Sequence, residues 1–328
     1  MTSERFFTLN NGLEMPSIGI GTFMAPDHEI ETALDAALKA GYRHIDTAPV
    51  YLNEKAIGKA LRRWIDTNQV KREDLFITTK LPIHANRPGD VEKTLKKSLE
   101  DLQLTYVDMY LIHAPVAVPQ PASGAGSSLT YDRDSNGNLI IDPTTDHVKI
   151  WKKMEDMIEM GLTKNIGVSN FNQKQIQRLL DNSKIKPSNL QIELQVYFQQ
   201  NDLVDFCKAN NILITAYSPL GNRDMVKRRL AAGTLKEDII LFEDPTVVEI
   251  AKNHNKTGAQ VLLRWILQRG ICPIPKSTNP GRLQQNLDIY DFKLSDDEMN
   301  RLAGLDKGLR ICDTSFFKGI EKHPECTW

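Results

Sequence analysis

Four residues in the first third of this chain are of types that move protons. Asp46, Tyr51, Lys80 and His113 fall at or just beyond the ends of apolar runs in YRHIDTAPVY, LFITTK and YVDMYLIHAP. An acid, a phenol, an amine and an imidazole delivered to one place make a proton-transfer site. A tyrosine hydroxyl has an ordinary pKa of about 10, so it donates readily near neutral pH only when its surroundings tune it. A lysine ammonium beside the phenol favours the phenolate and is expected to lower that pKa. Asp46 would hold the lysine charged and in place. His113 would donate a hydrogen bond to the oxygen of a bound carbonyl. The set reads as carbonyl reduction: Tyr51 is the acid, and another group supplies a hydride.

Such residues need a scaffold, and the apolar pattern describes one. RFFTL and LEMPSI flank Asn-Asn-Gly, a hairpin signal. Short apolar runs then predict strands at Ile18–Gly21, His44–Asp46, Leu75–Lys80, Val107–His113, Asn165–Val168, Asn189–Leu194, Ile212–Tyr217 and Cys272–Pro275. Helical periodicity lies between them, at Glu29–Ala40, Glu54–Asp66, Val91–Leu102, His147–Met160, Gln173–Asn182, Leu203–Ala209 and a longer stretch from Thr246 through Gln268. Asn279–Leu287 and Asp296–Leu305 follow the last strand. Strict alternation implies parallel strands with helical crossovers. Eight units predict an α/β fold of the closed (β/α)8 kind, whose usual size of about 250 residues fits once loops are added. An open doubly wound sheet would want a glycine-rich turn after its first strand. GIGTFMAP has Gly19 and Gly21 but no third glycine at the fingerprint spacing.

In a barrel of this kind the chemistry sits at the C-terminal strand ends. Polar residues recur there: Asp46, Lys80, His113, Ser169 with Asn170, Gln191, Tyr217 with Ser218, and Lys276 with Ser277. Any one of them has a bland reading, because strands often end polar where the chain turns into water. Coordination over seven strand ends argues for a site. Three long segments break the rhythm: Val116–Thr145, with a second Asn-Gly hairpin signal in LTYDRDSNGNLIID; Pro219–Glu243, with NRDMVKRR; and the tail Asp306–Trp328, with Phe316, Phe317 and Trp328. All three fall where they would cover the barrel mouth. Loops this long in a compact domain are usually functional or disordered.

The remaining chain-wide features exclude more than they assign. The 328 residues are expected to form a single domain. A formal net charge of −1 implies no nucleic acid or other polyelectrolyte partner. No run of about 20 apolar residues predicts a membrane span. MTSERFFTLNNG lacks a basic region followed by an apolar stretch, so no secretory signal is expected. Cys207, Cys272, Cys312 and Cys326 are scattered in no zinc-ligand spacing, which predicts reduced thiols, a cytoplasmic location and no metal.

GYRHIDTAPVYLNEKAIG (Gly41–Gly58), KNIGVSNF (Lys164–Phe171) and IPKSTNPGRLQQN (Ile274–Asn286) resemble the signatures of the aldo-keto reductase family, in order and over essentially the whole chain. The resemblance implies a TIM barrel that uses NADPH without a Rossmann domain. It implies Asp46, Tyr51, Lys80 and His113 as the catalytic tetrad. In this family a histidine at the His113 position accompanies carbonyl reduction. A glutamate there accompanies reduction of steroid double bonds. The nicotinamide would stack on Tyr217, with its carboxamide held by Ser169, Asn170 and Gln191, and with Gly21, Thr22 and Asp46 beside it. Ser218, Leu220 and Asn222 would line the pyrophosphate path. Asp224 matches the position that latches a loop over the cofactor, pairing with Lys276. Lys276, Ser277 and Arg282 would take the 2′-phosphate, and Gln285 and Asn286 the adenine. Lys227, Arg228 and Arg229 have no firm counterpart and read as a solvated face.

The substrate pocket implied by the same resemblance is formed by Phe23, Val50, Tyr51, Pro82, His113 and Ala114. Aldose reductases carry tryptophans where this chain has Phe23, Pro82 and Ala114. Loss of indole rings predicts a wider pocket that takes bulky ketones such as steroids. The long first loop and the tail are similar to those of insect members that reduce 3-dehydroecdysone. Most relatives with so short an N-terminus are monomers. Two other readings share the fold. A non-catalytic crystallin-like or channel-associated member would show decay of the tetrad. An NAD-dependent enzyme working in the oxidative direction would lack the Lys276 and Arg282 cations.

Overall fold

In the computed structural model, which describes residues 4–121, 131–313 and 317–327, eight parallel strands curl into one sheet. The chain opens on an antiparallel hairpin, β1 (Phe6–Thr8) and β2 (Glu14–Pro16). Its turn needs Gly12, which sits at φ 85° and whose amide donates to the Leu9 carbonyl at 2.9 Å. The barrel strands are β3 (Ile20–Gly21), β4 (His44–Asp46), β5 (Phe76–Leu81), β6 (Met109–Ile112), β7 (Ile166–Ser169), β8 (Asn189–Glu193), β9 (Leu213–Tyr217) and β10 (Ile271–Pro273). Each pairs in parallel with the next. The ring closes where the Gly19 and Gly21 amides donate to the Pro273 and Pro275 carbonyls at 3.0 and 3.1 Å. A Cβ on Gly21 would lie 2.9 Å from the Ile274 carbonyl oxygen, so the closure requires a residue without one.

The helices are α1 (Asp27–Ala40), α2 (Glu54–Asp66), α3 (Val91–Leu102), α4 (His147–Glu159), α5 (Gln173–Asn182), α6 (Asn201–Ala209), α7 (Arg223–Ala231), α8 (Pro245–His254), α9 (Gly258–Gln268), α10 (Pro280–Leu287) and α11 (Asp296–Ala303). The alternation read from the sequence is the one that forms, with two corrections. Thr246–Gln268 is two helices, not one. Asn255 takes a left-handed φ of 54°, which ends α8, and Thr257 with Gln260 forms a capping box that starts α9. The segment Pro219–Glu243 contains α7, whose start is capped by the Asn222 side chain accepting from the Met225 amide at 3.1 Å.

Strand pleating divides the side chains into two sets. Outward-facing Ile45, Ile77, Tyr110, Val168, Leu190 and Ile214 join the helices in one buried cluster. At the N-terminal end of the barrel, Leu9 and Met15 of the hairpin pack with Phe76, Met109, Leu111, Cys272 and Ile274. That plug leaves the C-terminal end as the face where polar groups gather. A third cluster joins Ile83, Ala114, Val116 and Val118 to Tyr131 and Leu139 of the long loop and Ile320 of the tail. The second hairpin signal forms only a local turn: Gly137 sits at φ 76°, and a single antiparallel bridge joins Arg133 to Leu139. The Leu139 amide then donates to the Lys318 carbonyl at 2.7 Å, so loop and tail are joined by backbone. Phe316 and Trp328 lie outside the described residues.

Candidate active site

Lys80 is fully buried at the centre of the C-terminal face. Its Nζ donates to Asp46 Oδ1 at 2.5 Å, to the Thr47 carbonyl at 3.0 Å and to Tyr51 Oη at 3.1 Å. One ammonium with three hydrogens thus meets three oxygens. The register explains the meeting: β4 and β5 are neighbours, and Asp46 and Lys80 lie on the inner face of their strands. Asp46 is held from the other side as well, since Gln191 Nε2 donates to its Oδ2 at 2.6 Å. Tyr51 does not come from a strand end. It closes a 3₁₀ turn, Pro49–Tyr51, that Pro49 starts and Leu52 ends at a left-handed φ of 60°. Asn53 then donates to the Thr22 and Ala25 carbonyls at 2.8 and 3.1 Å, which ties this turn to the loop after β3.

His113 follows β6. Its ring stands edge-on to Tyr51, with centroids 5.8 Å apart. Phe23 meets the same tyrosine edge-on at 5.2 Å. The Asn170 side chain donates to the His113 carbonyl at 2.9 Å and to Ser169 Oγ at 3.1 Å. Tyr217 Oη donates to Asn170 Oδ1 at 2.9 Å. Two bonded groups result, Asp46 with Lys80, Tyr51 and Gln191, and Asn170 with Ser169, Tyr217 and the His113 carbonyl, and the Asn170 amide joins them by donating to the Gln191 carbonyl at 2.9 Å; Ser218, Lys276 and Ser277 stand outside both.

The charge states differ from the sequence expectation in one respect. Tyr51 is not tuned downward. Burial, and then the negative charge of Asp46, hold its phenol well above its ordinary pKa. The Lys80 cation is paired with Asp46, so the phenol meets the field of a pair rather than that of a free ammonium. Burial also lowers the Lys80 amine, with the Asp46 charge opposing. His113 is held well below its ordinary value by burial and by Lys80. The resting site thus has a protonated phenol and a neutral imidazole at neutral pH. Each keeps a hydrogen that it can donate.

A cofactor must lie along the same face, and the residues present fit one that carries phosphate. Lys276 and Arg282 are exposed, and among the described residues neither makes an ion pair. Ser277 Oγ accepts from Arg282 Nε at 3.4 Å, which groups the donors at one spot beside the start of α10. Asn286 is buried, and Gln285 is exposed beside it. Ser218 lies at φ 51° directly after β9, and Leu220 is half-buried. Asp224 and Lys276 are both exposed and do not pair with each other. Arg229 is no solvated cation: it pairs with Asp313 at 3.0 Å and donates to the Arg310 carbonyl, anchoring the tail.

The pocket candidates divide. Phe23 is 42% exposed, and Val50 is half-buried. Pro82 is buried, and Ala114 is only 5% exposed within the cluster that holds Tyr131 and Ile320. The space that an indole at 114 would take is bordered by side chains of the loop and tail. Ala114→Trp is therefore expected to overpack the cluster, at about 1–3 kcal/mol. Its melting temperature should fall, and kcat/KM should fall for small aldehydes and ketosteroids alike. A loss confined to the ketosteroid, at an unchanged melting temperature, would instead put Ala114 in the pocket wall.

One contributor was legible in principle and passed over. Glu193 stands two residues beyond Gln191, on the same face of β8. Its carboxylate is fully buried and accepts from the Ile311 and Cys312 amides at 2.7 and 2.8 Å. That bond brings Cys312 Sγ to 3.5 Å from Ser218 Oγ. The period-two spacing from Gln191 was the available signal.

Fold and site together define a barrel oxidoreductase of carbonyl groups. A family model described as "Aldo/keto reductase family" matches residues 15–307. The chain is 39% identical over 310 residues to aldo-keto reductase family 1 member A1 of Xenopus tropicalis, covering 94% of this chain and 91% of that protein. It is 41% identical over 316 residues to aldose reductase B of Dictyostelium discoideum, covering 96% of both. Among solved structures, the aldose reductase of Schistosoma japonicum superposes with a TM-score of 0.86 at 40% identity, over 98% of this chain and 97% of that one. The chain belongs to the aldo/keto reductase family, and with it to the NADP-dependent oxidoreductases that act on carbonyl groups. Among the described residues no helix is long and apolar enough to cross a membrane.

Proposed function

We propose that this protein reduces aldehydes and ketones to alcohols with NADPH, with Tyr51 as the proton donor and bulky ketones, steroids included, among its substrates. The observation that carries the reading is the contact of Tyr51 Oη with the fully buried Lys80 at 3.1 Å, beside His113. Bound NADPH supplies the hydride. The protein's own part is at the carbonyl oxygen. Tyr51 and His113 each present a hydrogen there, and both act on negative charge that develops only as the carbonyl is reduced. An alkoxide is a far stronger base than a phenolate, so Tyr51 can release its proton despite its raised pKa. Lys80 then faces a new anion at the phenol, with Asp46 keeping that cation in place.

The bulky-ketone part of the reading rests on the mouth. Phe23, Met24 and Leu52 are exposed apolar side chains on the two loops that Asn53 ties together next to Tyr51. They offer an apolar rim to the part of a substrate that does not react. The narrower likeness to 3-dehydroecdysone reductases belongs to this reading, as do a monomeric state and a cytoplasmic location. The test is NADPH consumption with a small aldehyde, a diketone and a 3-ketosteroid, compared by kcat/KM. A ketosteroid turned over no better than background, beside an active aldehyde, would leave the carbonyl chemistry and remove the steroid.

NADPH should be preferred to NADH. Charge-assisted contacts to a 2′-phosphate from Lys276 and Arg282, at about 1.5–3 kcal/mol each, amount to roughly 10²- to 10⁴-fold if additive. Titration of Arg282→Ala should show weakened NADPH binding and unchanged NADH binding, and the wild-type preference should shrink at high salt. Equal dissociation constants for the two cofactors in the wild type would sink the assignment of these residues.

A further inference from the structure

Glu54 is a buried carboxyl that the chemistry above does not use. It is 5% exposed, in the first turn of α2. Its Oε1 accepts from Thr79 Oγ1 at 2.6 Å and its Oε2 from Ser98 Oγ at 3.0 Å. A buried acid with no cation paired to it is costly, and the two hydroxyls offset only part of that cost, so its place calls for a reason. Its place is next to the proton donor: Tyr51 ends one turn, Leu52 and Asn53 follow, and Glu54 starts the helix. Its partner is next to the cation: Thr79 precedes Lys80 on β5. Successive strand residues face opposite sides, so Thr79 faces the helices while Lys80 faces the barrel interior.

We propose that Glu54 is a positioning residue for the proton donor, clamping the Tyr51-bearing turn to the outer face of the strand whose inner face carries Lys80. Tyr51 and Lys80 meet at 3.1 Å inside the barrel, while Glu54 and Thr79 meet at 2.6 Å outside it. The second contact fixes the frame in which the first is made. Ser98 extends the clamp to α3. That helix comes close because α2 carries Gly58, where a Cβ would lie 2.3 Å from the Asp101 carbonyl oxygen. The charged and titratable groups around the carboxyl are Asp101 of α3, itself paired with Lys97, and Tyr110 of β6, with Lys80 acting only across β5 from the inner face. Burial, opposed by the two hydroxyls, pushes the Glu54 carboxyl up to about 7. Both of its protonation states are therefore present near neutrality, and the clamp has to hold in each. It works through hydrogen bonds, and an amide can replace the acid.

The proposal builds on the functional reading above, so its test is run on the full chain with NADPH and a small aldehyde. Glu54→Ala and Thr79→Val should each lower kcat by about 10- to 100-fold, the scale expected when a catalytic group is displaced by an ångström or less. KM, NADPH affinity and the stoichiometry of NADPH bound per chain should stay unchanged. The solvent deuterium isotope effect on kcat should rise, because proton transfer becomes slower. Glu54→Gln should keep near-normal kcat. Wild-type kcat in both Glu54→Ala and Thr79→Val would overturn the proposal. So would a loss of kcat that tracks a loss of NADPH-binding chains, which is the mark of misfolding. If Glu54→Ala does not fold, Thr79→Val decides alone, since it keeps the side-chain shape and removes only the hydroxyl. A wild type inactive on every carbonyl would sink the functional reading and this proposal with it. An active wild type beside unaffected variants would sink this proposal only.

Discussion

Tyr51→Phe is expected to lower kcat by at least about 10²-fold, the lower range for loss of a general acid. The substitution removes one oxygen and leaves the ring, so the edge contacts with Phe23 and His113 persist. NADPH affinity should barely change, because the hydroxyl acts at the carbonyl oxygen. The variant should also lose little stability. Lys80 would give up one of three hydrogen bonds while keeping Asp46 and the Thr47 carbonyl. Steady-state kinetics with a small aldehyde, run beside a cofactor titration, check both halves. Near-normal turnover would remove Tyr51 from the acid role. The raised phenol pKa adds a second expectation: no loss of activity with rising pH should trace to ionisation of Tyr51 below its ordinary value of about 10.

Lys80→Met should be the more damaging change, because it strikes both chemistry and fold. Methionine fills much of the same volume but carries no charge. Asp46, only 2% exposed, would be left with Gln191 and without its cation. Removing one partner of a buried ion pair costs roughly 3–5 kcal/mol. The phenol would also lose the positive charge that faces it once its proton has gone. We expect a strongly lowered melting temperature and turnover at or below that of Tyr51→Phe. Asp46→Asn in the same background removes the stranded charge, so the double variant should regain stability without regaining activity. A single variant that melts normally and turns over normally would mean that the Asp46–Lys80 pair serves neither role.

These expectations bear on what can be read from a chain of residues. That Asp46, Tyr51, Lys80 and His113 gather in one place was legible because each member follows an apolar run at a strand end or one turn beyond it. The barrel was legible because strand and helix periods alternate through the tetrad and the three signature segments, with the long segments set between units of that pattern. Local chemistry also placed the first hairpin, through Asn11 and Gly12. What stayed hidden depends on atoms brought together from distant segments. Tyr51's pKa moves up rather than down because burial and the charge of Asp46 outweigh a lysine that is already paired. Ala114 directly follows His113 in sequence, yet it packs with Tyr131, Leu139 and Ile320, which stand far from it along the chain. Arg229 looks like one of three solvated cations until Asp313 is folded against it. Glu54 sits inside a signature segment, but its link to Thr79 exists only because α2 docks on the outside of β5. Residue type and period determine which elements form and which side chains reach the strand ends. Electrostatic balance and pocket shape are set by long-range packing, since a charge or a methyl group takes its meaning from neighbours that the local sequence does not name.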